Sequence, residues 1–416
     1  MYKLPTSGDN RRMRTSKAWV ATLPNGEQLE YIDRKRWLWS LSLLDQLQPF
    51  VGIVLHAITG NEWWIALPLV LTYVGGPALD WALGEDPNNP PEEVVPQLER
   101  DLYYRRLTYI AVPLHFISLV VAAGYAATQN LSTVAFVGLA LVAGLGAGLA
   151  INTAHELGHK NSRIEKLLAK FSLAVAAYGH FTIAHNQGHH RNVSTPADPA
   201  SARMGESIYK FALREFPGAF LDAWSLEKNR LARRGKSVWN PNNQILQSYA
   251  LTAVLTGGLF AAFGWPVIPF LLIHNLFAWW QLTSANYVEH YGLLRQKNSN
   301  GKYERCEPHH SWNSNHIYSN LVLLHLERHS DHHSHPTRRY QSLRNYEDLP
   351  TLPNGYFGVY LLAYVPKLWF RVMDKRLLAL PNVQGDLDKV NIEPAARHSL
   401  FLQYGRDKMH EPTIVF

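Results

Sequence analysis

The apolar residues of this chain come in long blocks separated by polar stretches, not in the short alternations of a half-buried sheet. A helix that crosses a bilayer needs about 20 mostly apolar residues. Six blocks reach that length, at 37–60 (with Asp45 and Pro49 inside it), 63–83, 107–127, 134–151, 245–263 and 266–284. The turns Thr59-Gly60-Asn61-Glu62, Thr128-Gln129-Asn130 and Gly264-Trp265 are so short that each pair of blocks reads as an antiparallel helical hairpin. The pattern predicts an all-α integral membrane protein with six transmembrane helices. A further apolar stretch, 164–183, is read as a helix that enters the bilayer partway or packs on the polar side. A full crossing there would put the histidine clusters that flank it on opposite faces of the membrane. Glu85-Asp86-Pro87-Asn88-Asn89-Pro90-Pro91 is a loop by its Pro and Asn content.

Charge orients the helices. Lys3, Arg11, Arg12, Arg14, Lys17, Arg34, Lys35 and Arg36 precede the first block, and Arg100, Arg105 and Arg106 lie between the second and third. The short turns carry no Lys or Arg. The positive-inside rule then places both termini and the long segments in the cytoplasm. The N-terminus is too polar for a cleaved signal peptide, so the first block is the insertion signal. The chain divides into a basic N-terminal segment (1–36), four spans (37–151), a cytoplasmic or membrane-associated helical region (152–244), two spans (245–284) and a cytoplasmic C-terminal region (285–416).

Composition narrows the chemistry. With 47% apolar residues, 13 Trp, 20 Tyr and 16 Phe, the chain is not disordered. Its single cysteine, Cys306, excludes a disulfide-built fold and any cysteine-ligated cluster. The net charge of +7 suits an N-terminal tail near anionic lipid, and nothing points to nucleic acid. Gly144-Leu145-Gly146-Ala147-Gly148 lies within a span and follows no strand, so its small residues read as close helix packing.

Twenty histidines stand out, and they cluster. The clusters are His155-Glu156-Leu157-Gly158-His159, His185-Asn186-Gln187-Gly188-His189-His190 and His329-Ser330-Asp331-His332-His333, with His290 just beyond the sixth block. Residues three and four apart share a helix face. His155/His159, His185/His189 and His329/His332/His333 are therefore expected to present imidazoles together, all on one side of the membrane. Nine imidazoles exceed what one metal can use, which implies two metals. Imidazole suits Zn, Cu, Fe and Ni alike, so spacing alone leaves the metal open. His56, His115, His274, His398 and His410 have no partner at helical spacing and read as hydrogen-bonded single residues. His180, His309, His310, His316, His325 and His335 lie near the clusters and read as outer partners.

Two other readings fit less of the chain. His155-Glu156-Leu157-Gly158-His159 also matches the H-E-x-x-H zinc protease signature, which leaves seven clustered histidines without a role. A histidine-rich metal transporter would place ionisable residues along the middle of its spans, whereas these sit at span ends.

These residues resemble the membrane-bound alkane 1-monooxygenases, within the histidine-box membrane enzymes that include fatty acid desaturases and xylene monooxygenase. The likeness rests on the first cluster through Lys160, on 185–203 with Thr195-Pro196-Ala197-Asp198-Pro199-Ala200-Ser201-Ala202-Arg203, on 286–296 and on 326–344. The resemblance implies a non-haem site of two iron ions and O2-dependent hydroxylation of a terminal methyl. Electrons would come from rubredoxin, reduced by an NAD(P)H-dependent rubredoxin reductase. By motif match the iron ligands would be His155, His159, His185, His189, His190, His290, His329, His332 and His333. Ala184 stands where the family usually has Glu, and Glu327 where it usually has Gln. Xylene-type methyl hydroxylation and fatty-acyl desaturation are the nearest alternatives.

That reading sets further expectations. An n-alkane dissolved in the bilayer would lie among the helices with its methyl at the histidines. Thr72, Gly75 and Gly76 on the second block, and Gly148 and Leu149 on the fourth, are candidate channel residues. Rubredoxins are small and acidic, so Lys302, Arg305, Arg338 and Arg339 near the third cluster are candidate docking contacts.

Overall fold

The computed structural model describes residues 17–405; Lys3, Arg11, Arg12, Arg14 and His410 lie outside the described residues. The fold is mostly helical, but the basic N-terminal segment contains an antiparallel hairpin, β1 (Ala18–Thr22) and β2 (Gln28–Ile32), which corrects the all-α expectation. Its turn runs through Pro24-Asn25-Gly26, and Gly26 takes φ +86°, a conformation that glycine reaches without a Cβ clash. Trp19 and Tyr31 share one face of the hairpin and pack with Tyr104.

Among the described residues, five helices are long and apolar enough to cross a membrane: α1 (Leu38–Thr59), α2 (Glu62–Leu83), α3 (Leu102–Thr128), α4 (Thr133–Gly158) and, further on, Gln244–Phe263. The first ten residues of α1 are 3-10 helix. Gly52 of α1 lies against the backbone of Ile65, where a Cβ would come within 2.8 Å of the Ile65 carbonyl oxygen, and this close approach closes the first hairpin. A π-helical turn at Leu71–Gly75 interrupts α2. It stands just before Pro77, whose missing N–H leaves the Tyr73 carbonyl without its helical partner. Asp101 and Ser132 cap α3 and α4 by accepting from the backbone N–H of Tyr103 and Ala135.

The apolar stretch 164–183 does not form one helix. It splits into α5 (Arg163–Val175) and a turn in which Ala177 takes φ 51°. Thirteen residues extend about 20 Å, which is short of a full crossing. Next come α6 (Ile208–Ala232), α7 (Gln244–Phe263) and α8 (Val267–His290). The sixth expected span corresponds to α8, which at 24 residues has the length but carries His274, Asn275, Gln281 and Thr283, so its apolarity falls below that of the other five.

Helix α4 is the axis of the bundle, with two thirds of its most apolar stretch buried against 17% for α7. Its glycines explain the close crossing with α8. A Cβ on Gly144 would come within 2.7 Å of the His274 carbonyl oxygen, and one on Gly148 within 2.8 Å of the Gln281 side chain. Around the bundle, large side chains point outward, including Ile58, Val74 and Trp81. The end of α8 and the residues after it form a second core around Tyr287, Trp312 and Trp369. Arg328, fully buried, ties this part to the loop after α2 by donating to Asp86 (2.9 Å), Asn315 (2.9 Å) and the Leu343 carbonyl (2.8 Å).

Candidate metal centre

Four segments bring the histidines together. His155 and His159 close α4, one turn apart. His290 closes α8. His329, His332 and His333 lie on the short helix α9 (His329–Ser334). His185, His189 and His190 lie on a π-helical turn, Ala184–His189, that runs into His190–Asn192. The nine side chains form two sets, in each of which one nitrogen per ring lies within 4.8 Å of all the others. The first is His155, His159, His185, His190 and His332; the second is His189, His290, His329 and His333.

The grouping differs from the one that α-helical spacing suggests. The π-turn brings His185 and His190 together, with Nε2 atoms 3.0 Å apart, and sends His189 into the other set. His332 likewise separates from His329 and His333 and meets His155 at 3.0 Å.

The donor chemistry fits metal ions. A neutral imidazole has one N–H and one lone pair. His290 Nδ1 lies 3.0 Å from the His310 carbonyl oxygen and His189 Nδ1 2.8 Å from Asp198, so in both rings the proton sits on Nδ1 and Nε2 offers only a lone pair. Yet His290 Nε2 is 3.1 Å from His329 Nε2, which is 3.0 Å from His333 Nε2. The Nε2 atoms of His159 and His189 are buried with no protein partner. The lone pairs fixed on His189 and His290, which belong to one set, are what a cation between these rings would take up. Burial, reinforced by the neighbouring rings, pushes the pKa of His159, His185, His190, His329, His332 and His333 well down, toward the neutral form that binds metal.

A second layer orients these rings. Asp198, from the Thr195–Arg203 run, takes His189 and accepts from Ser201 (2.6 Å) and the Ala200 N–H (3.1 Å). Asp331, inside the third cluster, is held by Arg338 (2.9 and 2.8 Å), His335 (2.8 Å), Tyr346 (2.5 Å) and the Arg344 N–H (2.9 Å). Asp331 was not singled out from the sequence, and its place between clustered histidines is the signal that could have found it. Glu327 is fully buried, and burial together with the nearby Asp80 carboxyl pushes it up to about 8. Its two oxygens accept from the Tyr356 N–H (2.9 Å) and Asn320 Nδ2 (3.3 Å). Glu156 pairs with Lys160 at 3.1 Å through one carboxylate oxygen.

The single histidines have ordinary partners, His56 with Tyr125, His115 with Thr153 and His274 with Asn275, and of those expected as outer partners of the clusters, His180 bonds Tyr249, His316 bonds Ser314 and His325 bonds the Tyr340 carbonyl. His398 is exposed. Glu304, His309 and His310 also converge, but the Glu307 N–H donates to His310 Nδ1 at 2.9 Å. That fixes the proton on Nε2, which lies 3.2 Å from Glu304, so this nitrogen has no lone pair for a metal.

An apolar cavity of about 60 Å³ ends on His155, His185 and His329. Its walls come from α4 (Leu145, Gly148, Leu149), from α8 (Leu282, Ala285) and from Phe357 and Tyr360. Gly148 and Leu149, candidate channel residues by sequence, are part of this wall. On α2, Thr72 is turned toward Gln48 (3.3 Å), Gly75 meets no side chain within 4 Å of its Cβ position, and Gly76 packs on Phe357 and Tyr318. Tyr73 of α2 instead donates to Gln281, one of the cavity-lining residues, at 2.7 Å. Lys302 and Arg305 are exposed, whereas Arg338 is buried on Asp331 and Arg339 pairs with Glu165 at 2.8 Å.

The fatty acid desaturase family profile matches residues 130–360, a stretch that includes the whole histidine centre. Over 376 residues, 90% of this chain and 92% of the relative, the chain is 54% identical to alkane 1-monooxygenase 1 of Alcanivorax borkumensis. It is 54% identical over 377 residues to the alkane 1-monooxygenase of Ectopseudomonas oleovorans, covering 90% and 93% of the two chains. With that of Pseudomonas putida the identity is 55% over 369 residues, 88% and 91% of the two chains.

Proposed function

This chain belongs to the alkane 1-monooxygenases of the fatty acid desaturase family, and we propose that it hydroxylates the terminal methyl of n-alkanes to 1-alkanols. The observation that carries this reading is the apolar cavity whose inner end is made of ligand-competent imidazoles from both sets. A hydrocarbon has no group for a polar site to hold, so shape and water exclusion must place it. Leu145, Leu149 and Leu282 do that, and the methyl end stops at His155, His185 and His329.

The nine histidines hold two iron ions, one in each set. Bound iron supplies the O2 activation that no side chain can provide. Asp198 and the His310 carbonyl fix the orientation of His189 and His290 through their Nδ1 atoms. Electrons come from rubredoxin, reduced by rubredoxin reductase with NAD(P)H, and Lys302 and Arg305 are the exposed cations nearest in sequence to the third histidine cluster.

Helix α8 is the sixth span, which its outward-facing Leu272 and Leu276 support. The protein then sits in the inner membrane with its termini and histidines on the cytoplasmic side, as the basic residues before α1 and between α2 and α3 suggest. The test is reconstitution of the iron-loaded protein with rubredoxin, its reductase, NADH and a graded series of n-alkanes. Formation of 1-alkanol is the expected result. Preference for a methylarene, or conversion of an acyl chain to an alkene, would reassign it to another branch of the family.

A further inference from the structure

Alkane hydroxylation consumes protons as well as electrons. The C–H bond and the O–O bond break, one oxygen enters the alcohol, and the other leaves as water after taking up two protons from solution; the two electrons come from the external carrier. The larger cavity is walled mainly by apolar side chains and is the place assigned above to the alkane.

A second, smaller cavity adjoins the first and shares Phe181, His185, Leu282 and Asn286 with it. It is lined by Glu215, Ala219 and Asp222 of α6, by Asp198, and by His185 and His189. Residues 215, 219 and 222 lie four and three apart and share one face of the helix. Asp222 is half-buried and Glu215 fully buried, so the cavity leads inward from one acid to the other. Asp222 lies over Gly188, where any Cβ would run into its carboxylate oxygen. Glu215 accepts from Thr283 Oγ1 (2.7 Å) and Asn286 Nδ2 (3.2 Å). Seven residues of helix separate the two acids by about 10 Å, too far for direct transfer. The cavity measures about 30 Å³, room for about two waters at 10–15 Å³ each.

We propose that this acidic cavity is the proton inlet of the centre, with Asp222 collecting protons from solution and Glu215 passing them inward through cavity water. Burial raises both carboxyls, Glu215 up to about 7 and Asp222 by direction, with Asp198 adding to each and Thr283, Asn286 and Arg214 opposing at Glu215. Glu215 is thus poised to exchange a proton near neutrality. Asp198 stays committed to His189 and takes no part in the transfer.

The proposal rests on the monooxygenase reading, and the experiment separates the two. Wild type, Glu215→Gln and Asp222→Ala are compared as iron-loaded, full-length protein with rubredoxin and reductase, in H2O and D2O. The inlet predicts slower alkanol formation, on the order of 10²-fold for Glu215→Gln, and a larger solvent isotope effect in both variants. It also predicts that added acetate restores Asp222→Ala, since a small acid can replace the missing carboxyl but cannot repair a structural defect. Asp222→Ala turning over at the wild-type rate with an unchanged isotope effect overturns the inlet, as does a loss that acetate leaves in place. A wild-type protein that forms no alkanol defeats the monooxygenase reading itself.

Discussion

His185 and His190 are five residues apart, and their Nε2 atoms lie 3.0 Å from each other because the backbone between them is a π-helical turn. That one local departure from α-helix decides which histidines can share a metal. It separates His189 from its sequence neighbours and hands it to His290, His329 and His333.

The division makes a prediction about stoichiometry. His190→Ala removes a donor from the first set alone, and His333→Ala one from the second. Each is expected to lower iron toward one equivalent per chain and to cut activity by more than the roughly 10–100-fold that loss of an outer partner causes. His56→Ala and His398→Ala should keep both irons. Iron analysis alongside turnover checks this. Equal loss of both irons from either variant would mean that the two sets fold and load as one unit.

Arg338 yields a prediction about stability. Both of its bonds to Asp331 are buried, and removing one partner of a buried pair costs about 3–5 kcal/mol. Arg338→Ala should therefore lower the unfolding temperature and loosen the third cluster. Thermal unfolding of the detergent-solubilised protein reads the effect directly, and an unchanged midpoint would show that Tyr346 and His335 suffice to hold Asp331.

Electron supply should behave differently. Charge reversal at Lys302 and Arg305 is expected to raise the KM for rubredoxin several-fold at low ionic strength, because exposed charges act mainly on encounter. The effect should fade as salt shortens the Debye length from about 30 Å at 0.01 M to 8 Å at 0.15 M. Turnover that ignores both the reversals and the salt would place docking elsewhere.

The long apolar helices were readable because a membrane-crossing length imposes a continuous apolar signal. The expected 63–83 and 245–263 differ from Glu62–Leu83 and Gln244–Phe263 by one residue at their first position and none at their last. The histidines were readable as clusters because metal chemistry fixes residue type and rough spacing. Their partition was not, since it depends on a π-turn that no short spacing rule encodes. The break at Ala177 was hidden for a similar reason, as an apolar run does not show where a helix ends. The hairpin at 18–32 did carry a signal, with Trp19, Ala21 and Tyr31 on one face and Asn25-Gly26 in the turn, but it lay among basic residues read only for topology. Arg338 looked like a docking residue because its partners, Asp331 and Glu92, meet it only through the tertiary fold.

The cavity wall sets the last prediction. Leu145 stands ten residues before His155 on α4, which puts it roughly 15 Å up the helix from the histidine end. Leu145→Trp should therefore shorten the longest alkane oxidised while leaving shorter chains as substrates. Each methylene kept out of the cavity forfeits about 0.8 kcal/mol of burial, about a fourfold loss in kcat/KM per carbon, so activity should fall steeply past the block. Thr72 faces Gln48 and not the cavity, so Thr72→Val should leave the length profile as it is. Product analysis across a series of n-alkanes checks both. If Thr72→Val shifts the cut-off and Leu145→Trp does not, the alkane runs along α2, and the cavity between α4 and α8 serves some other purpose.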